Sequence, residues 1–95
     1  MAKKALAITV DDNVAMALAP LEQEDVVRLA DGRTLKASEA IPFGHKLALA
    51  PIARGQAIVK YGQPIGLATT DIAEGAHVHV HNVESRRGRG DLSGQ

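Results

Sequence analysis

From Leu21 onward the chain alternates apolar and polar positions in short bursts, and it repeats itself. Ile-Pro-Phe-Gly-His-Lys-Leu-Ala-Leu begins at Ile41, Ile-Ala-Arg-Gly-Gln-Ala-Ile-Val-Lys at Ile52, and Ile-Ala-Glu-Gly-Ala-His-Val-His-Val at Ile72. Each copy has an isoleucine, a glycine three positions on and an aliphatic residue six on; in two of them another aliphatic follows at eight. A degenerate copy starts at Leu21 and runs through Glu24, Val27 and Leu29. The pattern predicts a turn unit in which isoleucine anchors the start, glycine takes a backbone conformation other residues resist, and a short strand leaves with alternating faces. Copies so closely spaced are too short for helical repeats and suit short strands joined by tight turns.

The remaining elements follow from the same signals. Ala5 to Val10 is apolar, ends in β-branched residues and reads as a first strand. Asp11, Asp12 and Asn13 offer helix caps, and the alanine-rich run Val14 to Leu18, closed by Pro20, reads as a helix of one or two turns. Asp31-Gly32 marks a hairpin between Val-Val-Arg-Leu-Ala and Thr-Leu-Lys-Ala, and Gly62 and Pro64 break the chain again. The expectation is a mainly β domain of about seven short strands with tight glycine turns and one short helix. A small barrel or clip of this kind leaves strand edges open, so a homo-oligomer or a protein partner is expected. From Glu84 the polar, glycine-rich Glu-Ser-Arg-Arg-Gly-Arg-Gly-Asp-Leu-Ser-Gly-Gln lacks periodicity. We read 1–83 as the domain and 84–95 as a flexible tail. The Arg-Gly-Asp at 89–91 is read as chance in an arginine- and glycine-rich tail rather than an adhesion motif.

Size and composition narrow this further. At 95 residues the chain holds one domain with a thin core. Only Phe43 and Tyr61 are aromatic, so that core is built from Ala, Val, Ile and Leu, and a stacking platform for single-stranded nucleic acid is missing. Lys and Arg together number 11, as do Asp and Glu. A net charge of zero argues against nucleic acid as partner and supplies no attraction to a membrane surface. Cysteine is absent, so disulfides and thiolate metal sites are excluded. The apolar run before Asp11 is too short for a signal-peptide core or a membrane span, and a cytoplasmic location is expected.

The candidate chemistry lies in His77-Val78-His79-Val80-His81-Asn82, which holds three of the four histidines at alternate positions. On a strand whose Val78 and Val80 face the core, His77, His79 and His81 share the opposite face, with successive side chains roughly 6.5–7 Å apart. Two imidazoles so placed can converge on one divalent ion and leave positions open for water or substrate; with no thiolate available, Fe(II), Mn(II) or Zn(II) would suit. Spacing alone equally allows three solvated histidines on the wet face of an edge strand. His45 follows a turn glycine and can join the others only if the two turns are neighbours. Lys60 and Tyr61 precede a Gly-x-Pro turn, where a lysine can hold a carboxylate or simply sit solvated at a strand end. A glycine-rich phosphate loop, a Gly-x-Ser-x-Gly elbow and a cysteine nucleophile are all missing.

Taken in order, Ile-Pro-x-Gly-His-Lys-x-Ala-Leu (41–49), Ile-x-x-Gly-x-x-Ile-x-Lys-Tyr-Gly-x-Pro-Ile-Gly (52–66) and Ala-x-x-Asp-Ile-x-x-Gly-x-x-Val-His-x-His-Asn (68–82), together with Asp12-Asn13-Val14, resemble the N-terminal SAF domain of the altronate/galactarate dehydratase family. The resemblance covers roughly residues 5–83 and implies a β-clip fold. It also implies a metal-dependent hydro-lyase acting on a sugar-acid substrate, with Fe(II) or Mn(II) as the usual ion. Some members fuse the domain to a large catalytic region and others carry it as a small subunit. This chain looks like the small subunit, incomplete without a large catalytic dehydratase subunit. The family's Val-His-x-His-Asn maps onto residues 78–82, which makes His79 and His81 the expected metal ligands, with His77 ranked below them. His79, His81 and His45 are the expected catalytic residues. Lys46, Lys60, Tyr61 and Asn82 are the expected substrate-binding residues. Two alternatives stand beside this: a stand-alone β-clip module that binds a sugar acid or a protein without catalysis, and the small subunit of a carbon–sulfur lyase of the sulfolactate type. A chaperone-like role, as in secreted SAF relatives, is disfavoured by the missing signal peptide.

Overall fold

The computed structural model describes residues 2–7 and 11–85. Every regular element among them is a strand: β1 Lys3–Leu6, β2 Val14–Ala17, β3 Val26–Arg28, β4 Thr34–Lys36, β5 Lys46–Ala48, β6 Ala57–Lys60, β7 Gln63–Ala68, β8 His77–Val78 and β9 Val83–Ser85. They form a six-stranded sheet in the order β4-β3-β1-β2-β5-β8 and a three-stranded sheet in the order β6-β7-β9. Of the expected first strand, Ala5 and Leu6 lie in β1, which starts earlier, at Lys3; residues 8–10 fall outside the described residues. β9 carries Glu84 and Ser85 into the second sheet, pairing with Leu67 and Gly66. The rest of the expected tail, including residues 89–91, lies outside the described residues. None of the described residues forms a helix long and apolar enough to cross a membrane.

The fourfold turn repeat is the organising device of the fold. Gly44, Gly55 and Gly75 have φ of 83°, 85° and 80°, and Glu24, which replaces glycine in the degenerate copy, is held at 74°. Each occupies the third position of a type II-like turn closed by a backbone bond: Asp25 N–H to Glu22, His45 to Pro42, Gln56 to Ala53 and Ala76 to Ala73. The N–H of each positive-φ residue donates to a buried alanine carbonyl, Ala37, Ala17, Ala68 and Ala48 in turn. Each alanine N–H donates back to the carbonyl of the residue after the turn. All four alanines are buried at these backbone junctions. The leading aliphatics pair two by two, Leu21 with Ile41 and Ile52 with Ile72, and all four are buried. Two hydrophobic cores result, one including Leu21, Val27, Ile41 and Leu47, the other Val14, Ile52, Ile58, Ile72 and Val78.

The segment expected to be a short helix is instead β2. Its four residues are too few to nucleate a helix unaided. Both of its edges find partners, β1 through Ala5–Ala17 and β5 through Ala15–Leu47. Its two faces also belong to different cores, Val14 with Ala48 in one, Ala15 and Leu47 in the other. Alanine propensity for helix is weak beside burial on both sides.

Asp12 and Asn13, expected as helix caps, join the two sheets. The register of β6 on β7 slips between Ile58 and Val59, and Val59 lies opposite Pro64, which has no N–H to share. The Val59 N–H instead donates to Asn13 Oδ1 at 2.7 Å, and Asn13 Nδ2 donates to the Ala57 carbonyl at 2.8 Å. Next to it, Asp12 Oδ1 accepts the Gly62 N–H at 2.7 Å. That bond secures the two-residue Tyr61-Gly62 turn, whose φ values of 55° and 75° are those of a type I′ hairpin. Asn13→Ala should therefore strand one donor and one acceptor at the sheet junction and cost about 2–3 kcal/mol, with Asn13→Asp, which keeps the acceptor, intermediate. Urea denaturation of the three proteins checks this, and a loss below about 0.5 kcal/mol for the alanine variant would show that the amide is dispensable.

Candidate functional site

Two turns of the repeat bring the histidines together. His45 follows Gly44, its N–H bonded to the Pro42 carbonyl and its carbonyl to the Ala17 N–H. One residue further on, β5 pairs antiparallel with β8, Leu47 opposite His77 and Lys46 opposite Val78. His45 Nδ1 and His77 Nε2 lie 2.8 Å apart, so one nitrogen carries the hydrogen and the other accepts it. The His45 ring stacks on His79 with centroids 4.0 Å apart, and the His77 and His79 rings are 5.6 Å apart. One ligand nitrogen from each of His45, His77 and His79 lies within 4.8 Å of the other two.

The strand expected through residue 81 ends at Val78. Asn82 ends it. Its N–H bonds the His79 carbonyl, its Oδ1 accepts the His79 N–H at 2.9 Å, and its Nδ2 donates to the His77 carbonyl at 2.8 Å. The chain turns over residues 79–82, and Val80, expected in the core, stands 82% exposed at the tip. Strict alternation therefore fails after Val78. His81 is exposed and lies outside the close trio, though its ring remains 5.0 Å from that of His77. Asn82, expected at substrate, is buried with both ends of its amide engaged in shaping this turn. His77, ranked below His79 and His81, lies within the cluster. Glu39, which no sequence signal singled out, fixes its backbone by accepting the His77 N–H at 3.1 Å.

Electrostatics favour neutral rings. Burial pushes the His77 pKa below its ordinary value, helped by the His81 and His45 charges and opposed by Glu39. His79 is lowered as well, by desolvation first and then by His45, Lys46 and His81. Neutral imidazole is the ligand form, and His45, His77 and His79 together offer a divalent ion a three-nitrogen donor set. Of the other candidates, Lys46 borders the trio, whereas Lys60 and Tyr61 sit at the β6–β7 hairpin with the Lys60 ammonium 4.9 Å from the Tyr61 ring centroid.

A β-only domain built on repeated glycine turns, with histidines gathered at two of them, is the β-clip architecture expected from the sequence. The family description "Altronate/galactarate dehydratase SAF domain" matches residues 3–86, and the chain belongs to that family. It is 47% identical over 74 residues to an altronate dehydratase of Escherichia coli, covering 78% of this chain and 15% of the relative. It is 40% identical over 83 residues to an altronate dehydratase of Bacillus subtilis, covering 87% and 16%. It is also similar to the (2R)-sulfolactate sulfo-lyase subunit alpha of Chromohalobacter salexigens, 46% identical over 57 residues, which span 58% of this chain and 61% of that subunit. The chain thus spans about one sixth of the two altronate dehydratases and most of the sulfo-lyase subunit.

Proposed function

We propose that the chain supplies one wall of a lyase active site whose remainder comes from a larger catalytic subunit, and that the complex eliminates water from a sugar acid. The observation that carries this reading is the convergence of His45, His77 and His79 in a domain of the dehydratase family. β-Elimination removes the proton next to a carboxylate and expels a hydroxyl from the neighbouring carbon, so negative charge builds on oxygen at both ends. A divalent ion, Fe(II) or Mn(II), supplies Lewis acidity for that charge, with His45, His77 and His79 as the residues that would hold it. The chain's own contribution is to present three imidazoles on rigid turns, to bring the Lys46 side chain beside them, and to leave the His81 ring exposed at the rim. Three imidazoles and a lysine do not make a complete elimination site, which is why the reading includes a larger partner. A cytoplasmic location is part of the same reading.

A second leaving group is favoured by one observation: a relative of which this chain spans 61% is named as a subunit of a sulfo-lyase. Expulsion of a sulfur-centred group poses the same charge problem to the same residues.

The test is reconstitution. The chain is co-expressed with the large dehydratase-like subunit of its own genome and assayed with Mn(II) or Fe(II) on altronate, galactarate and sulfolactate. Turnover is expected only when both chains are present, with a fall of about 100-fold or more in His45→Ala and His79→Ala. Full activity of the large subunit alone would reduce the chain to a non-catalytic binding module.

A further inference from the structure

Two exposed apolar side chains depart from the repeat, and both sit on the turns that carry the histidines. The outer corner of each turn, the residue before the positive-φ position, is Gln23, Phe43, Arg54 and Glu74 in chain order. The other three are polar or charged, as suits an exposed corner. Phe43 is apolar and stands 63% exposed, two residues before His45. The position eight after each leading aliphatic is Leu29, Leu49, Lys60 and Val80. Leu29 is buried, Leu49 packs against the core and Lys60 holds its ammonium over the Tyr61 ring; Val80 is apolar and 82% exposed. Asn82 fixes the turn that presents Val80, through the His79 N–H and the His77 carbonyl, so the side chain does not fold back into the core. A lone exposed hydrophobe is ordinary, but apolar exposure gathered at one site marks a contact surface. The gathering is geometric. Val80 follows His79 in the chain, and the His79 ring stacks on that of His45, the histidine of the Phe43 turn, with centroids 4.0 Å apart. Ile65, exposed on β7 of the second sheet, joins Val80, Val83 and His79 in the walls of a recess of about 250 Å³.

We propose that this face is where the larger catalytic subunit docks, with Phe43, Val80 and Ile65 as anchors seated in apolar pockets of that subunit. The inference rests on the lyase reading for the identity of the partner. Under that reading the histidines face the rest of the site, and apolar anchors on both histidine turns exclude water from the join. A second copy of this chain seated here would turn two histidine trios on one another and shut both from substrate, which is why the occupant is the larger chain.

The experiment reads affinity separately from turnover. The chain is titrated by calorimetry into the purified large dehydratase-like subunit of its own genome, and sedimentation of the chain by itself is measured in parallel. Phe43→Asp and Val80→Asp should each weaken binding by about 30-fold or more, as loss of a central anchor does, and Ile65→Asp severalfold. All three side chains being exposed, each variant should melt within about 4 °C of the native chain. Gln23→Asp, at the same corner of the first turn, is the control. Leu21 pairs antiparallel with Ile41, so the chain leaves the two in opposite directions, and binding should be unchanged. Absence of binding, or binding that survives Phe43→Asp combined with Val80→Asp, would overturn the docking face. So would self-association of the isolated chain that Val80→Asp abolishes, since the face would then belong to a second copy. An active complex whose affinity ignores the anchors sinks the docking face and leaves the lyase reading standing. A complex that needs the anchors but turns over neither altronate, galactarate nor sulfolactate does the reverse.

Discussion

Gly75→Ala should destabilise the protein by more than about 3 kcal/mol, a large share of the 5–15 kcal/mol typical of a whole domain. Two penalties coincide there. The φ of 80° costs an L-residue about 1–2 kcal/mol, and a methyl group at this position would run into the carbonyl oxygen of Lys36 and crowd the Ser38 amide. Moving aside is not open to the backbone, because Gly75 donates its N–H to Ala48 and accepts the Ser38 N–H on its carbonyl. Gly44 and Gly55 make the controls. Their φ values match, but a methyl group at either meets open space, so each alanine variant should lose only about 1–2 kcal/mol. Urea midpoints of the three variants separate strain from collision, and a Gly75→Ala protein no less stable than Gly44→Ala would show that β4 and the turn before β8 are not in contact.

The second large effect is expected in metal binding. Titration of the isolated chain with Mn(II), followed through the four imidazoles by NMR, should broaden His45, His77 and His79 first. His45→Ala should weaken binding by about 100-fold or more, since outer-shell groups alone are worth 10–100-fold. His81→Ala should change it by less than about 3-fold, its ring being exposed and outside the trio. Asn82→Ala makes a sharper test of the geometry. It leaves every ligand in place but releases the amide bonds that hold the His77 carbonyl and the His79 N–H, so it should weaken binding by about 10-fold. Broadening confined to His79 and His81 would restore the pairing read from the sequence and remove His45 and His77 from the site.

The repeat shows what a pattern of side chains can specify. Isoleucine, glycine and aliphatic at fixed offsets demand the same turn wherever they occur, because the turn depends on local backbone conformation and on burial of the residues around it. The copy at Leu21 obeyed the pattern even without its glycine, Glu24 accepting a φ of 74° once its N–H was bound to Ala37. The hairpin at Asp31-Gly32 was legible for the same reason, and β3 and β4 pair across it with Arg28 opposite Thr34.

What local pattern leaves undecided is anything settled by a distant neighbour. Val14–Ala17 looks helical until β1 and β5 claim its two edges. Asp12 and Asn13 look like caps until a bulge opposite Pro64 leaves an N–H needing an acceptor. Val80 looks like core by analogy with its repeat mates, but Asn82 turns the chain before the alternation reaches it. The histidines follow the same division. Their spacing and the family resemblance marked the segment as chemical. Which three converge depended on the pairing of Leu47 with His77 across residues thirty apart, a contact that side-chain periodicity within either segment does not encode. Sequence alone thus determined the β character and the turn units, because each rests on short-range backbone and side-chain preferences. The tertiary structure alone decided which histidines converge and the roles of Asn13 and Glu39, because each depends on a partner supplied from elsewhere in the fold.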